Sequence, residues 1–428
     1  MPLLAFPVTL LLACLMPVDS PAQAEDSESN DSSPLDSVYT DSTEPPVDVD
    51  SVEDQPETGL DDWFFSTGAI HTIAITLPPE GEAALALSPY DKTLGDISIN
   101  GVSLPAVGVR LRGKIGSFRD LSGKPKFAID LNYTNVDQRF YGLEEISLNN
   151  EVVDCSYLKE PLAYRIFRDA GVPAPRTGFA RVSVNGADYG LYVIVETPDD
   201  QLLKRNFPDA TGNLYDGKYL YYEDHTYTLL DFTTTTQDLF QLEEGTDVGH
   251  TDVYAVVNAV PAPGSPTEWY DTANAVVDLP LFVTYLTVEQ LVGHNDGYAM
   301  NTNNYRFYFD PSNGGRMRFI PWDFDYGFLH DYEWGFNWQT PRGVLAAACF
   351  QNARCASEHQ DAVRSVLATF DVAVLQAFFD EMQLLIANDA ATDPRRECAI
   401  ESVVAYQAAV RSWLDTEPAN LKAAWGVE

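Results

Sequence analysis

Two short stretches of the sequence carry side chains that can hold a metal ion and orient a hydroxyl group. The first is His294-Asn295-Asp296-Gly-Tyr-Ala-Met-Asn301, in which an Asp is followed five positions later by an Asn. A carboxylate can orient a hydroxyl group or accept its proton, and an amide oxygen can bind a hard cation. The same residue types also form ordinary turns, so this stretch alone is a weak signal.

The second stretch, Pro321–Gly327 (PWDFDYG), contains two acidic residues. If it is extended, Asp323 and Asp325 point to the same face, with their Cα atoms roughly 6.6 Å apart at ~3.3 Å per residue. Two ionised carboxylates at that distance repel each other unless a cation lies between them, and hard divalent ions bound to phosphate prefer such ligands. In the structural alternative, one Asp caps a helix and the other pairs with Arg316 or Arg318.

A cluster of basic residues lies upstream of these acids, between predicted strands. A turn that contains Gly113 and Gly116 can lay backbone N–H groups against phosphate, and a strand Lys can neutralise phosphate oxygens. Solvated surface charge is the structural alternative. The cluster comprises Arg110, Arg112, Lys114, Arg119, Lys124 and Lys126.

The overall charge excludes one class of partner. The chain has 428 residues, of which 64 are acidic and 26 basic, so its net charge is −38. Such a surface repels phosphate backbones and anionic membranes, and we expect no nucleic-acid partner. A polyphosphate can bind only where local cations offset this field. With 45% hydrophobic residues, the chain can bury a sizeable core.

The N-terminal residues have the features of an export signal followed by an acidic tether. An apolar run over Leu3–Val18 and a small-x-small pattern ending at Ala24 predict a signal peptide over 1–24. The alternative is a lipoprotein signal, with a lipid anchor at Cys14. Residues 25–62 hold 14 Asp or Glu and no Lys or Arg, which predicts a disordered linker. We expect no transmembrane helix.

The cysteines fit an exported protein. Besides Cys14 there are four, and an even number suggests two disulfides in an oxidising compartment. Cys349 and Cys355 are near enough in sequence to close a small loop, which leaves Cys155 with Cys398. This spacing is a poor zinc signature, and neither CxxC nor HExxH occurs, so we expect structural bridges.

The remaining pattern changes along the chain from strands to helices, with no clear signal over 216–275. Strands are predicted over 71–77, 107–111, 127–131, 180–184, 190–195, 304–309 and 316–321, with a hairpin turn at Asn185-Gly186. Helices are predicted over 156–170, 202–206, 279–292, 363–370, 372–387, 396–414 and 419–425. The order predicts an α+β fold with a strand-rich lobe over about 63–196 and a helix-rich lobe over about 197–428.

Four stretches in register resemble the CotH kinase family, secreted atypical kinases first known from bacterial spore coats. They are Arg110–Gly113 with Lys124–Phe127; Leu148–Asn150 through Leu158–Tyr164; Ala170–Thr177 running to Gly190–Glu196; and Asn295-Asp296 with Asn303–Tyr305, closing at Ile320–Asp325. Together they span about 105–330. Asp296 and Asn301 also match the spacing of a protein-kinase catalytic loop, and Asp325-Tyr326-Gly327 has the form of the kinase Asp-Phe-Gly motif.

The resemblance implies a bilobal, atypical protein-kinase-like fold that binds ATP with Mg²⁺ or Mn²⁺ between its lobes. It further implies transfer of the γ-phosphoryl group to Ser or Thr of exported proteins by a secreted or surface-attached chain, which we expect to be a monomer. Lys126 would be the lysine that contacts phosphate, with Lys124 as its rival. Arg112 or Lys114 would assist over the phosphates, and Glu196 would lie where the interlobe hinge approaches adenine.

On the acidic side, Asp296 would be the catalytic Asp, Asn301 a metal ligand, and Asp323 and Asp325 the metal carboxylates. Asn303 or Asn304 is the alternative amide ligand. Two features depart from the family pattern: Lys114-Ile115 follows the first Arg-Gly, and only Glu160 is available as a helix partner for the strand Lys. Three rival functions are a non-catalytic surface-binding protein, a pseudokinase and a glycoside hydrolase. Two acids on one strand face rarely flank a glycosidic bond, which disfavours the last.

Overall fold

The computed structural model describes residues 59, 61–222, 224–260 and 266–428, all within the compact unit Pro56–Glu428. The predicted signal peptide 1–24, the lipid anchor at Cys14 and most of the acidic linker 25–62 lie outside these residues. The end of the linker is described: the carboxylates of Asp61 and Asp62 pair with Arg176. The folded part therefore includes these two residues and begins before the predicted boundary at 63.

A closed barrel of seven strands forms the first half. The strands are β1 (Ile70–Thr76), β2 (Thr93–Ile99), β3 (Val102–Arg112), β4 (Lys126–Asp130), β5 (Glu145–Asn149), β6 (Thr177–Val184) and β7 (Ala187–Val195). Their order around the barrel is β1-β2-β3-β4-β5-β7-β6, closed by a parallel β1–β6 pair. The predicted hairpin turn joins β6 to β7, with Asn185 and Gly186 both at positive φ (48° and 80°), as such a turn requires.

Strand β7 explains how the barrel attaches to the rest of the chain. Its hydrophobic run is continuous because both faces are buried. Tyr192 and Ile194 lie in the core inside the barrel, whereas Leu191, Val193 and Val195 belong to the core of the second half. The outer face of the barrel is thus an internal surface of the molecule.

The second half combines a small sheet with helices. Two helices lie within the barrel sequence, α1 (Pro79–Leu87) and α2 (Lys159–Asp169). After it come α3 (Asp200–Asn206), β8 (Leu214–Asp216), β9 (Leu220–Tyr221), β10 (Tyr227–Thr228), β11 (Gln241–Glu244), α4 (Thr251–Ala259), α5 (Pro266–Asn274), α6 (Leu279–Leu291), α7 (Tyr298–Asn301), β12 (Tyr305–Asp310), β13 (Arg316–Pro321), α8 (Val344–Gln351), α9 (Ala353–Thr369), α10 (Val372–Ala391) and α11 (Ile400–Trp425). The sheet order is β11-β8-β12-β13, and the hairpin β9–β10 stands apart. The predicted α+β class, with a strand-rich first half and a helix-rich second half, is confirmed.

Several predicted element boundaries were wrong. The two C-terminal helices predicted over 396–414 and 419–425 form the single helix α11, with Pro418 inside it. Pro418 removes one backbone hydrogen bond, but burial of Leu414 and Leu421 on either side keeps the helix continuous. Helix α9 begins ten residues before the predicted 363, and α1 was not predicted, although its Pro at the first turn and its Glu and Ala residues favour a helix.

A segment between α10 and α11 holds the two halves together. We call Asp393–Cys398 the C-terminal strap. The buried Asp393 carboxylate accepts a hydrogen bond from Lys124 Nζ at 2.6 Å. Cys398 is bonded to Cys155, and the second disulfide joins Cys349 to Cys355. Both predicted pairings are confirmed.

Among the described residues, no single helix has the length and apolarity needed to cross a membrane. The bent pair α9 and α10 meets that criterion only when the two helices are taken together.

The two disulfides should differ in their contribution to stability. The Cys155–Cys398 bond spans 243 residues and the Cys349–Cys355 bond spans 6. Because loop-closure entropy grows with loop length, the chain-entropy argument gives about 5 kcal/mol for the first bond and about 2 kcal/mol for the second. In urea denaturation, the double variant C155S/C398S should therefore lose more free energy of unfolding than C349S/C355S. Equal losses of the free energy of unfolding in the two variants would contradict the larger stabilisation expected from the Cys155–Cys398 bond.

Candidate active site

A cavity of about 340 Å³ lies where β3 and its following turn face the loops after α6 and β13. Five of the nine candidate residues line it: Arg112, Lys114, Asp296, Asp323 and Asp325. The basic and acidic stretches of the sequence, separated by about 200 residues, thus meet in one place. A sixth candidate, Lys126, contacts the two carboxylates from the barrel side.

The buried ammonium of Lys126 is the contact that joins the basic and acidic sides. Lys126 Nζ lies 2.6 Å from Asp325 Oδ2 and 3.5 Å from Asp323 Oδ2. Burial opposes its charge, but these two carboxylates raise the pKa of Lys126 above its usual range. Burial and the neighbouring Asp323 raise the pKa of Asp325 to about 6. For Asp323, burial is outweighed by Lys126 and by the Asp325 backbone N–H, and the pKa falls below its usual value.

The loop that carries the two carboxylates is not extended, so the condition under which Asp323 and Asp325 would share a strand face is not met. Asp323 has φ +53°, in the left-handed region, and the Asp325 backbone N–H donates to Asp323 Oδ1 at 3.3 Å. The carboxylates still converge on one cation, because the turn brings them to Lys126. We name residues 323–325 the acidic loop.

His294, which received no role from the sequence, supports the acidic loop from behind. Its Nε2 lies 2.8 Å from the backbone carbonyl oxygen of Asp323. Burial lowers the pKa of His294 to about 4, so the ring is neutral and Nε2 carries the proton that it donates. This histidine is a donor to the backbone of the loop and not a proton carrier.

Asp296 lies at the centre of three asparagines. Its carboxylate accepts hydrogen bonds from Asn301 (2.6 Å), Asn304 (2.9 Å) and Asn303 (3.2 Å). Burial raises the pKa of Asp296 to about 6, against the lowering effect of these bonds. The group is therefore ionised at neutral pH and more basic than an exposed Asp.

The three asparagines differ in whether they reach the cavity. Asn303 and Asn304 line the cavity, whereas Asn301 is not among its lining residues and holds Asp296. The Asn303 side-chain oxygen accepts from the Tyr219 backbone N–H at 3.0 Å. Asn304 is thus the asparagine best placed to offer an oxygen to a cation, and the expected ligand Asn301 has a supporting position.

Lys124 does not enter the cavity. Its ammonium donates to Asp393 and to the Leu191 carbonyl oxygen at 2.7 Å, beside the Tyr157 ring. Strand β4 begins only at Lys126, so the alternation of its faces does not extend back across Pro125. Lys124 joins the barrel to the C-terminal strap, and the candidate phosphate lysine is Lys126.

Glu196 also lies outside the cavity. Its buried carboxylate pairs with Arg176 (Nη2 to Oε1 2.7 Å) and with Arg205. Burial alone would raise the pKa of Glu196, but the two guanidinium groups hold it below its usual value. This side chain is occupied by ion pairs, and the expected approach to adenine is not available to it.

Glu160 faces the interior from α2, close to Lys126 but not paired with it. Its Oε2 accepts from Asn149 Nδ2 at 2.5 Å. Burial and the Asp323 charge raise the pKa of Glu160 to about 8. In the part of the chain that the structure describes, the ion pairs of Lys126 are those with the acidic loop.

Several residues that shape the cavity carry no recognisable signal in the sequence motifs. Trp322 lies between two guanidinium groups, with Arg112 5.2 Å and Arg306 5.5 Å from its ring centroid. The Lys114 ammonium lies 5.6 Å from the ring of Tyr219, whose hydroxyl accepts from the backbone of the glycine-containing turn. Trp322 adjoins the acidic pair in sequence, but no pattern pointed to Arg306 or Tyr219.

The donor set fits a hard cation only in part. Asp325 Oδ1 is buried without a hydrogen-bond partner, and oxygen ligands suit Mg²⁺ or Mn²⁺. Among the described residues, however, no group of three or more His, Cys, Asp or Glu side chains could hold a metal ion. Two carboxylates and an amide therefore fit a cation that arrives with phosphate oxygens of its own.

The sequence profile of the family described as CotH kinase protein matches residues 109–417, and the chain belongs to this family. The resemblance inferred from its motifs is confirmed. The chain is 28% identical to inner spore coat protein H of Bacillus subtilis (strain 168) over 196 residues, which are 44% of this chain and 50% of that protein. It is 24% identical to invasin CotH2 of Rhizopus delemar over 227 residues, 47% of this chain and 36% of that protein. The chain thus spans half or less of these relatives.

Similarity to solved structures is remote. The Helicobacter pylori proinflammatory kinase CtkA shares 14% identity and a TM-score of 0.32, covering 70% of this chain and 93% of that chain. HipA in the toxin–antitoxin complex of Shewanella oneidensis MR-1 shares 14% identity and a TM-score of 0.30, covering 74% and 69%. The family assignment depends on the sequence profile.

The buried Glu289 in α6 gives a pH prediction for the support of this site. It accepts from the Ala299 backbone N–H at 3.1 Å, and burial raises its pKa to about 8. The folded state therefore binds the proton more tightly than the unfolded chain, where the pKa is about 4.3, and stability falls as pH rises between these values. Between pH 5 and pH 8.5, the free energy of unfolding should therefore fall less in E289Q than in the wild type.

The matched substitution at Glu196 should instead lower the free energy of unfolding at neutral pH. Glu196 is held ionised by Arg176 and Arg205, so E196Q leaves both guanidinium groups without their buried partner. We expect a loss of about 3 kcal/mol at pH 7. If E289Q lost as much stability as E196Q at pH 7, where a carboxyl group with a pKa of about 8 is mostly protonated, Glu289 would be an anion and the assignment would be wrong.

Proposed function

We propose that this chain is a protein kinase that transfers the γ-phosphoryl group of ATP to Ser or Thr side chains of exported proteins. The observation that carries the proposal is the contact of Lys126 with Asp323 and Asp325, beside Asp296 in the same cavity. A cation from one half of the molecule and paired carboxylates from the other are the parts that position a metal-bound triphosphate. Membership of the CotH kinase family supports the same function.

The basic side of the cavity would receive the phosphates. Arg112 and Lys126 are direct cross-strand partners, so their side chains emerge on the same face of the β3–β4 pair. Arg112 and Lys114 line the cavity, and Lys126 reaches it at the acidic loop. As phosphate enters, Lys126 would exchange its contacts with Asp325 and Asp323 for phosphate oxygens, which would free both carboxylates.

The freed carboxylates of Asp323 and Asp325, together with the Asn304 oxygen, would hold Mg²⁺ or Mn²⁺. When bound, such an ion would offset the negative charge that develops on the phosphate oxygens. The contribution of the chain would be to hold these three oxygen ligands at fixed positions while Lys126 and Arg112 offset the remaining negative charge. Binding of the cation together with the phosphates would therefore require both the basic and the acidic side of the cavity.

Asp296 would act on the acceptor. Its carboxylate, fixed by the three asparagines, orients the acceptor hydroxyl and takes its proton. The hydroxyl oxygen forms a bond to the γ-phosphorus as the bond from that phosphorus to the β–γ bridging oxygen breaks, so that ADP leaves. A carboxylate with a pKa of about 6 remains ionised at neutral pH and is a stronger base than an exposed Asp.

Export is supported by the disulfides and by the predicted signal peptide. Disulfides persist in oxidising compartments and are rare in the cytosol, and two are formed here. The acceptor would be an exported protein that presents Ser or Thr, met by a monomer outside the cytoplasm. Two alternatives are a surface-binding protein, which would keep its partner binding after loss of Asp323, and a pseudokinase, which would bind nucleotide without turnover.

The first test is phosphate transfer by purified protein. With radiolabelled ATP and Mn²⁺, the wild type should label dephosphorylated casein or itself. D296N should reduce the rate about 10²–10⁴-fold, because the positioned carboxylate is lost. K126M and D323A should also reduce it, since each removes one side of the phosphate and metal contacts.

Y192F is the control for these variants. Tyr192 is fully buried in the barrel, and its hydroxyl has no hydrogen-bond partner, so removal of that hydroxyl should not change transfer. Equal rates for the wild type, D296N and D323A would exclude the proposed kinase. Binding of ADP with Mn²⁺ but no transfer by the wild type would favour the pseudokinase.

A further inference from the structure

Two polar residues of α2 contact the backbone of the acidic loop. Lys159 Nζ donates to the carbonyl oxygen of Asp325 at 3.1 Å. The Asp323 backbone N–H donates to the Tyr164 hydroxyl oxygen at 3.1 Å. Helix α2 therefore holds the acidic loop at both ends, without touching the carboxylates through these bonds.

The burial of Lys159 requires an explanation. The residue is 4% exposed, and burial of an ammonium group is strongly unfavourable unless the group is paired. Among the described residues, none of the carboxylates forms an ion pair with it. Its hydrogen bond goes instead to a backbone carbonyl oxygen, which a neutral donor could also satisfy. The positive charge is thus placed directly behind the acidic loop.

Tyr164, like Lys159, is buried and contacts the backbone of the acidic loop. It is fully buried, and besides accepting from Asp323 its hydroxyl lies 3.4 Å from Glu160 Oε1, to which it donates. The backbone of Asp323 is left-handed, a conformation that is unfavourable for a non-glycine residue. A hydrogen bond to the amide of that residue offsets this cost and keeps the turn closed.

Helix α2 is itself fixed at its start. The buried Asp154 carboxylate accepts from the Lys159 backbone N–H at 3.0 Å, and the next residue, Cys155, is bonded to the C-terminal strap. A support that is anchored in this way can hold the acidic loop in one conformation. The orientation of its carboxylates then depends on α2 as much as on the loop sequence.

We propose that Lys159 and Tyr164 are positioning residues that set the cation affinity of Asp323 and Asp325 by fixing the backbone between them. This inference rests on the proposed function, because it assigns a cation to that loop. Partners that orient metal-binding carboxylates affect affinity by roughly 10–100-fold, although they do not touch the ion. We expect Lys159 and Tyr164 to have effects of that size.

The test measures cation binding directly. Mn²⁺ is titrated into the full-length protein in the presence of ADP, and unbound Mn²⁺ is measured by electron paramagnetic resonance against an ADP-only reference. K159M and Y164F should each raise the Mn²⁺ concentration at half-saturation roughly 10-fold or more. K159R, which keeps a charged donor, should recover part of the affinity of the wild type.

Two controls separate positioning from loss of stability. Y192F removes a buried hydroxyl that has no partner and should leave Mn²⁺ binding unchanged. F379L alters a fully buried residue of α10 and should lower the melting temperature without raising the half-saturation concentration. Y164F, with the smallest change of shape, keeps the test meaningful if K159M does not fold.

The outcomes are distinct. If the wild type binds Mn²⁺ with ADP and K159M or Y164F binds it equally well, positioning by α2 is excluded and the proposed kinase stands. Parallel losses of binding in F379L and Y164F would also exclude it, because stability alone would explain both. If the wild type does not bind Mn²⁺ with ADP, the cation site fails and this inference fails with it.

Discussion

The contact of Lys126 with the acidic loop is the interaction on which the arrangement of this molecule depends. It joins the first residue of β4 to side chains 197 and 199 positions further along the chain. Asp323 and Asp325 would repel each other in a buried position, and the ammonium between them offsets that repulsion. Without it, neither the closeness of the carboxylates nor their burial would be favourable.

The supports of this contact come from both halves. The register of β3 on β4 sets Arg112 opposite Lys126, so the barrel delivers two cations to one face. On the other side, His294 and α2 hold the backbone of the acidic loop. The backbone of the acidic loop and the carboxylate of Asp296 are thus held by neutral partners, in addition to the ion pairs between the loop and Lys126. Such preorganisation is what phosphate transfer requires of a protein.

The sequence predicted the composition of the site better than its geometry. Lys126, Asp296, Asp323 and Asp325 were identified from residue type and family motif, and the structure brings them together. The extended geometry considered for the acidic loop is not found, because the left-handed backbone of Asp323 leaves no signal in the residue pattern.

The misassigned residues share a physical cause. Lys124 and Glu196 have the right residue types near the right motifs, but each is held by ion-pair partners on other elements of the fold. Lys124 pairs with Asp393, 269 positions away, and Glu196 pairs with Arg176 and Arg205, 20 and 9 positions away. Pairing between separate elements leaves no signal in the motif itself. The prediction of two C-terminal helices was wrong for a similar reason. Burial of Leu414 and Leu421 keeps α11 continuous and overrides the local effect of Pro418. The two disulfides were predictable because only four cysteines had to be paired.

The C-terminal strap limits which substitutions strand β7 can accept. At Gly190 a Cβ atom would lie 1.9 Å from Asp393 Oδ1, so β7 and the strap fit together only while position 190 has no side chain. Any larger residue there would displace the buried Asp393 carboxylate, which also binds Lys124. A redesign of the barrel surface at this point must therefore change the strap at the same time.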